Sequence, residues 1–126
     1  MRLHIKTTNI PSTPELTEYL ERRLSALDKL TVHHEEEVIV DVEVGQTTRH
    51  HQSGDIYRAE INVTIGKTVF RAVQETEDLF TSIDVAKDQM LGELRSFKGK
   101  RISLARRGGQ KIKALMRRLP WWRNNT

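Results

Sequence analysis

Two runs of period-two alternation constrain this chain more than anything else in it. Over residues 38–44, VIVDVEV sets Val38, Val40, Val42 and Val44 against Ile39, Asp41 and Glu43. Over residues 57–65, YRAEINVTI sets Tyr57, Ala59, Ile61, Val63 and Ile65 against Arg58, Glu60, Asn62 and Thr64. Side chains of a strand point alternately to opposite faces, so each run buries one face and leaves the other solvated and polar. A shorter alternation, Arg2 to Lys6 with Leu3 and Ile5 on one side, reads as an earlier strand. Gly66-Lys67 is a tight turn from the second run into a fourth strand at about Thr68 to Val73.

A four-stranded sheet with one apolar face needs a cover, and two segments of helical period supply it. Ser12-Thr13-Pro14-Glu15 gives an N-cap, a proline at the first helical position and an acid in the first turn. Leu16, Leu20, Leu24 and Leu27, with Tyr19, then form a stripe to about Leu30. Thr76 reads as the cap of a second helix, with Glu77 and Asp78 complementing its dipole. Leu79, Ile83, Ala86, Met90, Leu94 and Phe97 make its buried stripe, and Gly99 its stop. The expected fold is α+β in the order βαβββα, a four-stranded sheet with two helices packed on one face, plus a basic C-terminal extension.

The charge distribution separates body from extension. Residues 1–94 hold 10 Lys/Arg against 17 Asp/Glu, a net −7; residues 95–126 hold 11 Lys/Arg and no acid, a net +11; the whole chain of 126 residues is +4. We expect one α+β domain over residues 1–98 and an extension over 99–126 that seeks a polyanion. Within that extension KRISLARRGGQK is basic and glycine-broken, whereas Ile112, Leu115, Met116 and Leu119 recur at helical spacing. A short amphipathic helix at about residues 111–119, stopped by Pro120 and followed by Trp121-Trp122-Arg123, is too short to persist in water alone and should order on a partner. The chain has no cysteine, which removes disulfides, thiolate zinc sites and thiol nucleophiles. No apolar run approaches the roughly 20 residues of a membrane span, and the start MRLHIKTTNI reads as a strand instead of a signal peptide. A cytoplasmic protein is the expectation.

Particular residues then join this order of elements: TP opening the first helix, SGDIYRAEINVTIGK across the third and fourth strands, and EDLFTSIDVAKDQMLGEL through the second helix. Over about residues 1–98 the chain resembles the family of ribosome hibernation-promoting factors and ribosome-associated translation inhibitors. The most specific piece is Asp78-Leu79-Phe80-Thr81-Ser82-Ile83-Asp84, which looks like that family's D-[LM]-[YF]-x-[AS]-I-[DN]. The resemblance implies a stress-response translation inhibitor, not an enzyme. It implies binding to the small ribosomal subunit, its rRNA and neighbouring ribosomal proteins, in competition with mRNA and with A- and P-site tRNA. No cofactor, metal or membrane partner is implied, and a monomer is expected away from the ribosome. Longer members carry a second domain that pairs two ribosomes; nothing after residue 98 has that pattern, so pairing by that route is not expected.

Binding of this kind rests on Lys/Arg contacts to phosphate, without base readout. Arg23 and Lys29 stand where the family commonly has basic residues, while Thr17 and Ala26 stand where it often does and here does not. On the second helix the family's basic positions fall on Gln89, Gly92 and Ser96, with Lys87, Arg95 and Lys98 basic instead. The candidate RNA-binding residues are Arg22, Arg23, Lys29, Lys87, Arg95 and Lys98 of the body. In the extension they are Lys100, Arg101, Arg106, Arg107, Lys111, Lys113, Arg117, Arg118, Trp121, Trp122 and Arg123. The extension is expected to supply attraction that the helices lack.

Other readings compete. Gly108-Gly109-Gln110 spells the tripeptide that carries peptidyl-tRNA hydrolysis in release factors, but chance supplies it in on the order of 2% of chains this long. Here Lys111-Ile112-Lys113 follows it, without the asparagine found shortly after it in those factors. His33-His34 and His50-His51 lack the further soft ligands of a metal site, and the first pair adjoins Glu35-Glu36-Glu37, a solvated charge run. Asp84 and Asp88 read as a solvent-facing pair. KIKALMRRLPWWR would also suit an anionic membrane surface, so a general RNA- or membrane-surface binder acting through the tail stands as the alternative, with a GGQ-type hydrolase behind it.

Overall fold

The computed structural model describes residues 1–31, 36–47 and 54–97. Strand β1 (Arg2–Thr8), helix α1 (Pro14–Thr31), and strands β2 (Val38–Gln46), β3 (Tyr57–Ile65) and β4 (Thr68–Thr76) follow in order. Residues 79–97 are helical and are called α2. The four strands form one sheet in sequence order, with β1 parallel to β2 and the two later pairings antiparallel. A parallel pair needs a crossover connection, and α1 is that crossover. The βαβββα arrangement expected from the alternating runs is the observed one, and the sheet and helices through Leu94 lie in one compact unit, Met1–Leu94. The extension, including residues 111–119 where a short amphipathic helix is expected, both histidine pairs and Gly108-Gly109-Gln110 lie outside the described residues.

Strand register puts every apolar alternate on one face. Leu3, Val40, Val63 and Phe70 make one row, and Ile5, Val42, Ile61 and Ala72 the next. Leu16, Leu20, Leu24 and Leu27 of α1 and Ile83, Ala86, Met90, Leu91 and Leu94 of α2 close over these rows as one buried core. Leu20, Leu24 and Leu27 are fully buried, each contributing about 1.5–3 kcal/mol by removal of its side chain from water. Gly45 of β2 has a physical reason: a Cβ there would overlap the Thr8 carbonyl oxygen of the neighbouring strand.

Local chemistry sets the element boundaries. Thr13 caps α1, its hydroxyl accepting from the Leu16 amide at 3.2 Å, and Pro14 opens the helix as expected. Gly66, at φ +60°, takes the first central position of the two-residue turn between Ile65 and Thr68, where a side chain would be strained. The cap of α2 differs from expectation. Asp78 caps it, Oδ2 accepting from the Thr81 backbone amide at 2.9 Å and its hydroxyl at 2.8 Å. Thr76 instead ends β4, its hydroxyl accepting from the Asp78 amide at 3.2 Å, a turn that Thr favours as much as a cap.

Candidate nucleic-acid interface

The two exposed sides of the body differ in what their charges are free to do. On the open sheet face, Glu60 sits 15% exposed at the centre of a network. It accepts from Arg71 at 2.6 and 3.0 Å, from Arg58 at 2.9 Å and from Asn62 at 3.2 Å. Arg58 also reaches Glu75 at 3.7 Å, and Arg2 pairs with Glu37 at 2.8 Å. Burial alone would raise the Glu60 pKa, but the hydrogen bonds from Arg71, Arg58 and Asn62 outweigh it and hold the carboxyl below its ordinary value. By register this face carries Asp41, Glu43, Glu60 and Glu75 against Arg2, Lys6, Arg58 and Arg71, so it is balanced. The expected solvated polar face is present, and it has little to offer a phosphate.

The helix side is organised otherwise. Positions 19, 22, 23, 26, 29 and 30 of α1 recur at three- and four-residue spacing and share one flank. At Tyr19 and Arg23 it meets α2. Tyr19 stands edge-on to Phe80, ring centroids 4.6 Å apart at 75°. Its hydroxyl donates to the Asp84 carboxylate, 2.8 Å from each oxygen, and Arg23 Nε lies 3.4 Å from Asp84 Oδ1. These contacts advance together along both helices, so α1 and α2 lie side by side with their N-termini at the same end. Arg22, Arg23 and Lys29, the basic residues of α1, belong to this flank together with Glu15, while Glu18 borders it one turn before Arg22, and Glu21 and Asp28 fall on the other side.

Not every candidate cation is equally available. Arg23 is tied to Asp84 while its guanidinium lies over the Tyr19 ring, 5.1 Å from the centroid, and it remains 47% exposed. Lys87 is 16% exposed and paired with Asp88 at 2.9 Å. Arg22, Lys29 and Arg95 are exposed with no ion-pair partner among the described residues. Of the positions where basic residues are lacking, Thr17 and Ala26 are half-buried. Gln89 holds the Gln74 amide at 2.5 Å, and Gly92 and Ser96 are exposed. Lys98, Lys100, Arg101, Arg106, Arg107, Lys111, Lys113, Arg117, Arg118, Trp121, Trp122 and Arg123 lie outside the described residues.

Sequence reasoning missed the cluster that fixes this flank. Asp84 is not a solvent-facing partner of Asp88; it is half-buried and bonded across to α1. Burial, and then the Asp84 carboxylate, raise the Tyr19 pKa, with Arg23 opposing them, so the hydroxyl stays a proton donor at neutral pH. The signal lay in the heptapeptide at the start of α2. Asp78 caps, Ser82 is fully buried and donates to the Tyr57 carbonyl at 2.9 Å, Ile83 enters the core and Asp84 ties α1. Only Phe80 of its large apolar residues is left exposed, at 44%. Among the described residues no group of His, Asp and Glu side chains could hold a metal ion, and no helix is long and apolar enough to cross a membrane.

Comparison with known proteins agrees with this architecture. The profile of a family described as "Sigma 54 modulation protein / S30EA ribosomal protein" matches residues 3–102. A protein of Picosynechococcus sp. named ribosome hibernation promotion factor is 34% identical over 103 residues, covering 79% of this chain and 50% of the relative. One of the same name from Deinococcus radiodurans is 31% identical over 91 residues, covering 71% and 45%. The chain thus spans about half the length of the curated relatives it matches. Two solved structures share the fold. They are the N-terminal domain of Protein Y from Thermus thermophilus (TM-score 0.62, 23% identity, 77% of this chain and 99% of that one) and a ribosomal subunit interface protein from Coxiella burnetii (TM-score 0.61, 14% identity, 79% and 99%).

Proposed function

The chain belongs to the sigma 54 modulation and S30EA ribosomal protein family, and from that premise we propose that it is a cytoplasmic, ribosome-binding hibernation factor. The match over residues 3–102, shared with relatives named ribosome hibernation promotion factors, is the observation that carries the proposal. The site proposed is the small ribosomal subunit, where the body lies in the path of mRNA and of A- and P-site tRNA and inhibits translation by occupying it. The action is steric and uses no cofactor or catalytic residue.

The geometry supports the helix side as the RNA-facing one. Phosphate contacts position a protein on RNA, and on α1 Arg22 and Lys29 are exposed with no ion-pair partner among the described residues, whereas Arg2, Arg58 and Arg71 of the sheet face are each held by a glutamate. A body of net −7 is a poor polyanion ligand by itself, and the acid-free stretch of 32 residues that follows, with 11 Lys/Arg, supplies the long-range attraction. The extension, from Lys100 to Arg123, runs along rRNA or a ribosomal protein in this proposal.

The test is co-sedimentation of the full-length chain with purified small subunits, empty or already carrying mRNA and initiator tRNA. Binding to empty subunits that is lost on occupied ones is the expected result. Binding indifferent to occupancy would remove the steric mechanism and place the site elsewhere.

A further inference from the structure

An aromatic side chain left open to water in the first turn of a helix, in a cluster with a guanidinium held by an ion pair, is a surface prepared for a planar ligand. Phe80 is 44% exposed although the adjacent Leu79 and Ile83 turn inward. Its ring is fixed edge-on against Tyr19, Tyr19 is fixed by its hydrogen bond to Asp84, and Asp84 also pairs with Arg23, whose guanidinium lies over the Tyr19 ring. The parts have little freedom left to lose on binding, which is what lets a stacked contact yield affinity.

We propose that Phe80, with the Arg23 guanidinium over Tyr19, is a stacking platform for one unpaired RNA base. This deepens the reading of the protein as a ribosomal RNA binder and rests on it. Charge decides between a base and a phosphate at this spot. Glu77 and Asp78 adjoin Phe80 and repel phosphate, while a base presents an uncharged π-face to the ring and amino groups that carboxylates accept. The sugar-phosphate chain then lies toward Arg22 and Lys29, which share the α1 flank with Tyr19 and Arg23 and have no ion-pair partner among the described residues. A base on an aromatic face with its backbone near unpaired cations is the general form of unpaired-strand recognition. It adds a contact that Lys/Arg–phosphate attraction alone does not provide.

The test compares full-length wild type with Phe80→Ala, Phe80→Leu and Phe80→Tyr on purified small subunits at one salt concentration. Stacking on one base is expected to make Phe80→Ala and Phe80→Leu bind about tenfold more weakly and Phe80→Tyr about as well as wild type. An unchanged affinity for Phe80→Ala on subunits that wild type binds would overturn the platform. Wild-type affinity in Phe80→Leu would overturn it too, because a leucine keeps apolar contact with a ribosomal protein but has no π-face. Half-exposure of Phe80 makes folded variants the expectation, checked by urea unfolding; if the alanine variant does not fold, the leucine variant decides alone. If wild type binds no small subunits, the functional reading fails, and the platform is judged on octaadenylate against an abasic octamer of equal charge. A preference for octaadenylate that Phe80→Ala abolishes supports it; equal binding of the two oligomers by wild type overturns it.

Discussion

Glu60 shows how much of a single residue's behaviour comes from its neighbours. Arg58 precedes it on β3 and Arg71 stands on β4, and the register of that pair brings both guanidinium groups onto one carboxylate. The folded-state pKa is lowered, so the contribution of Glu60 to stability is fully present above its unfolded value, about 4.3. It is lost as pH falls through the lower folded value. Glu60→Gln should therefore cost about 1–2 kcal/mol at pH 7, and the difference from wild type should shrink at pH values near about 3. Urea unfolding at the two pH values checks this; a constant difference would mean that packing, not charge, is lost. Gly92 makes the opposite case. It is exposed within α2, and a Cβ there meets nothing within 4 Å. Gly92→Ala should stabilise the chain by about 0.5–1 kcal/mol, read from the urea midpoint, and Gly92→Arg should do so while restoring a positive charge where the resemblance places one.

Among the elements, the strands and helices were legible because their periods are carried by residues that need no partner to be recognised. Val38 to Val44 alternate whatever lies beside them, and so do Tyr57 to Ile65. Ends of elements were less legible, because they depend on pairing. β4 runs on to Thr76 since Tyr57 of β3 lies opposite it, which moves the helix cap from Thr76 to Asp78; both residue types are competent caps, and the register chooses. The least legible feature was the Tyr19–Asp84 tie, 65 residues apart in sequence. In the sequence Tyr19 is one more apolar position of α1 and Asp84 a solvated acid, and only the side-by-side placement of the two helices joins them. Tyr19→Phe keeps the ring against Phe80 and removes only the donor to Asp84, so it should cost about 1–2 kcal/mol. It should also loosen Arg23, seen as a larger side-chain NMR exchange rate for its Nε proton; an unchanged rate would show that Asp84 alone holds the guanidinium.

At the scale of the whole molecule, electrostatics divides the chain. The body and the extension carry opposite net charges, so in the proposed function affinity for RNA and placement on it fall to different parts of the chain. Each phosphate neutralised by a Lys or Arg releases condensed counterions, and the slope of log affinity against log salt counts those contacts at about 0.7–0.9 apiece. Deleting residues 100–126 removes nine of the 21 Lys and Arg, and leaves the flank with Arg22, Arg23 and Lys29 intact. The truncated chain should bind small subunits more weakly, with a salt slope several units shallower, yet still be displaced by bound mRNA and initiator tRNA. Filter-binding or sedimentation titrations from about 50 to 200 mM salt separate the two effects. An unchanged slope would mean that the extension touches no phosphate and that attraction is carried by the helices despite their few free cations. A truncated chain that binds but no longer competes with mRNA and tRNA would transfer the blocking role from the body to the extension.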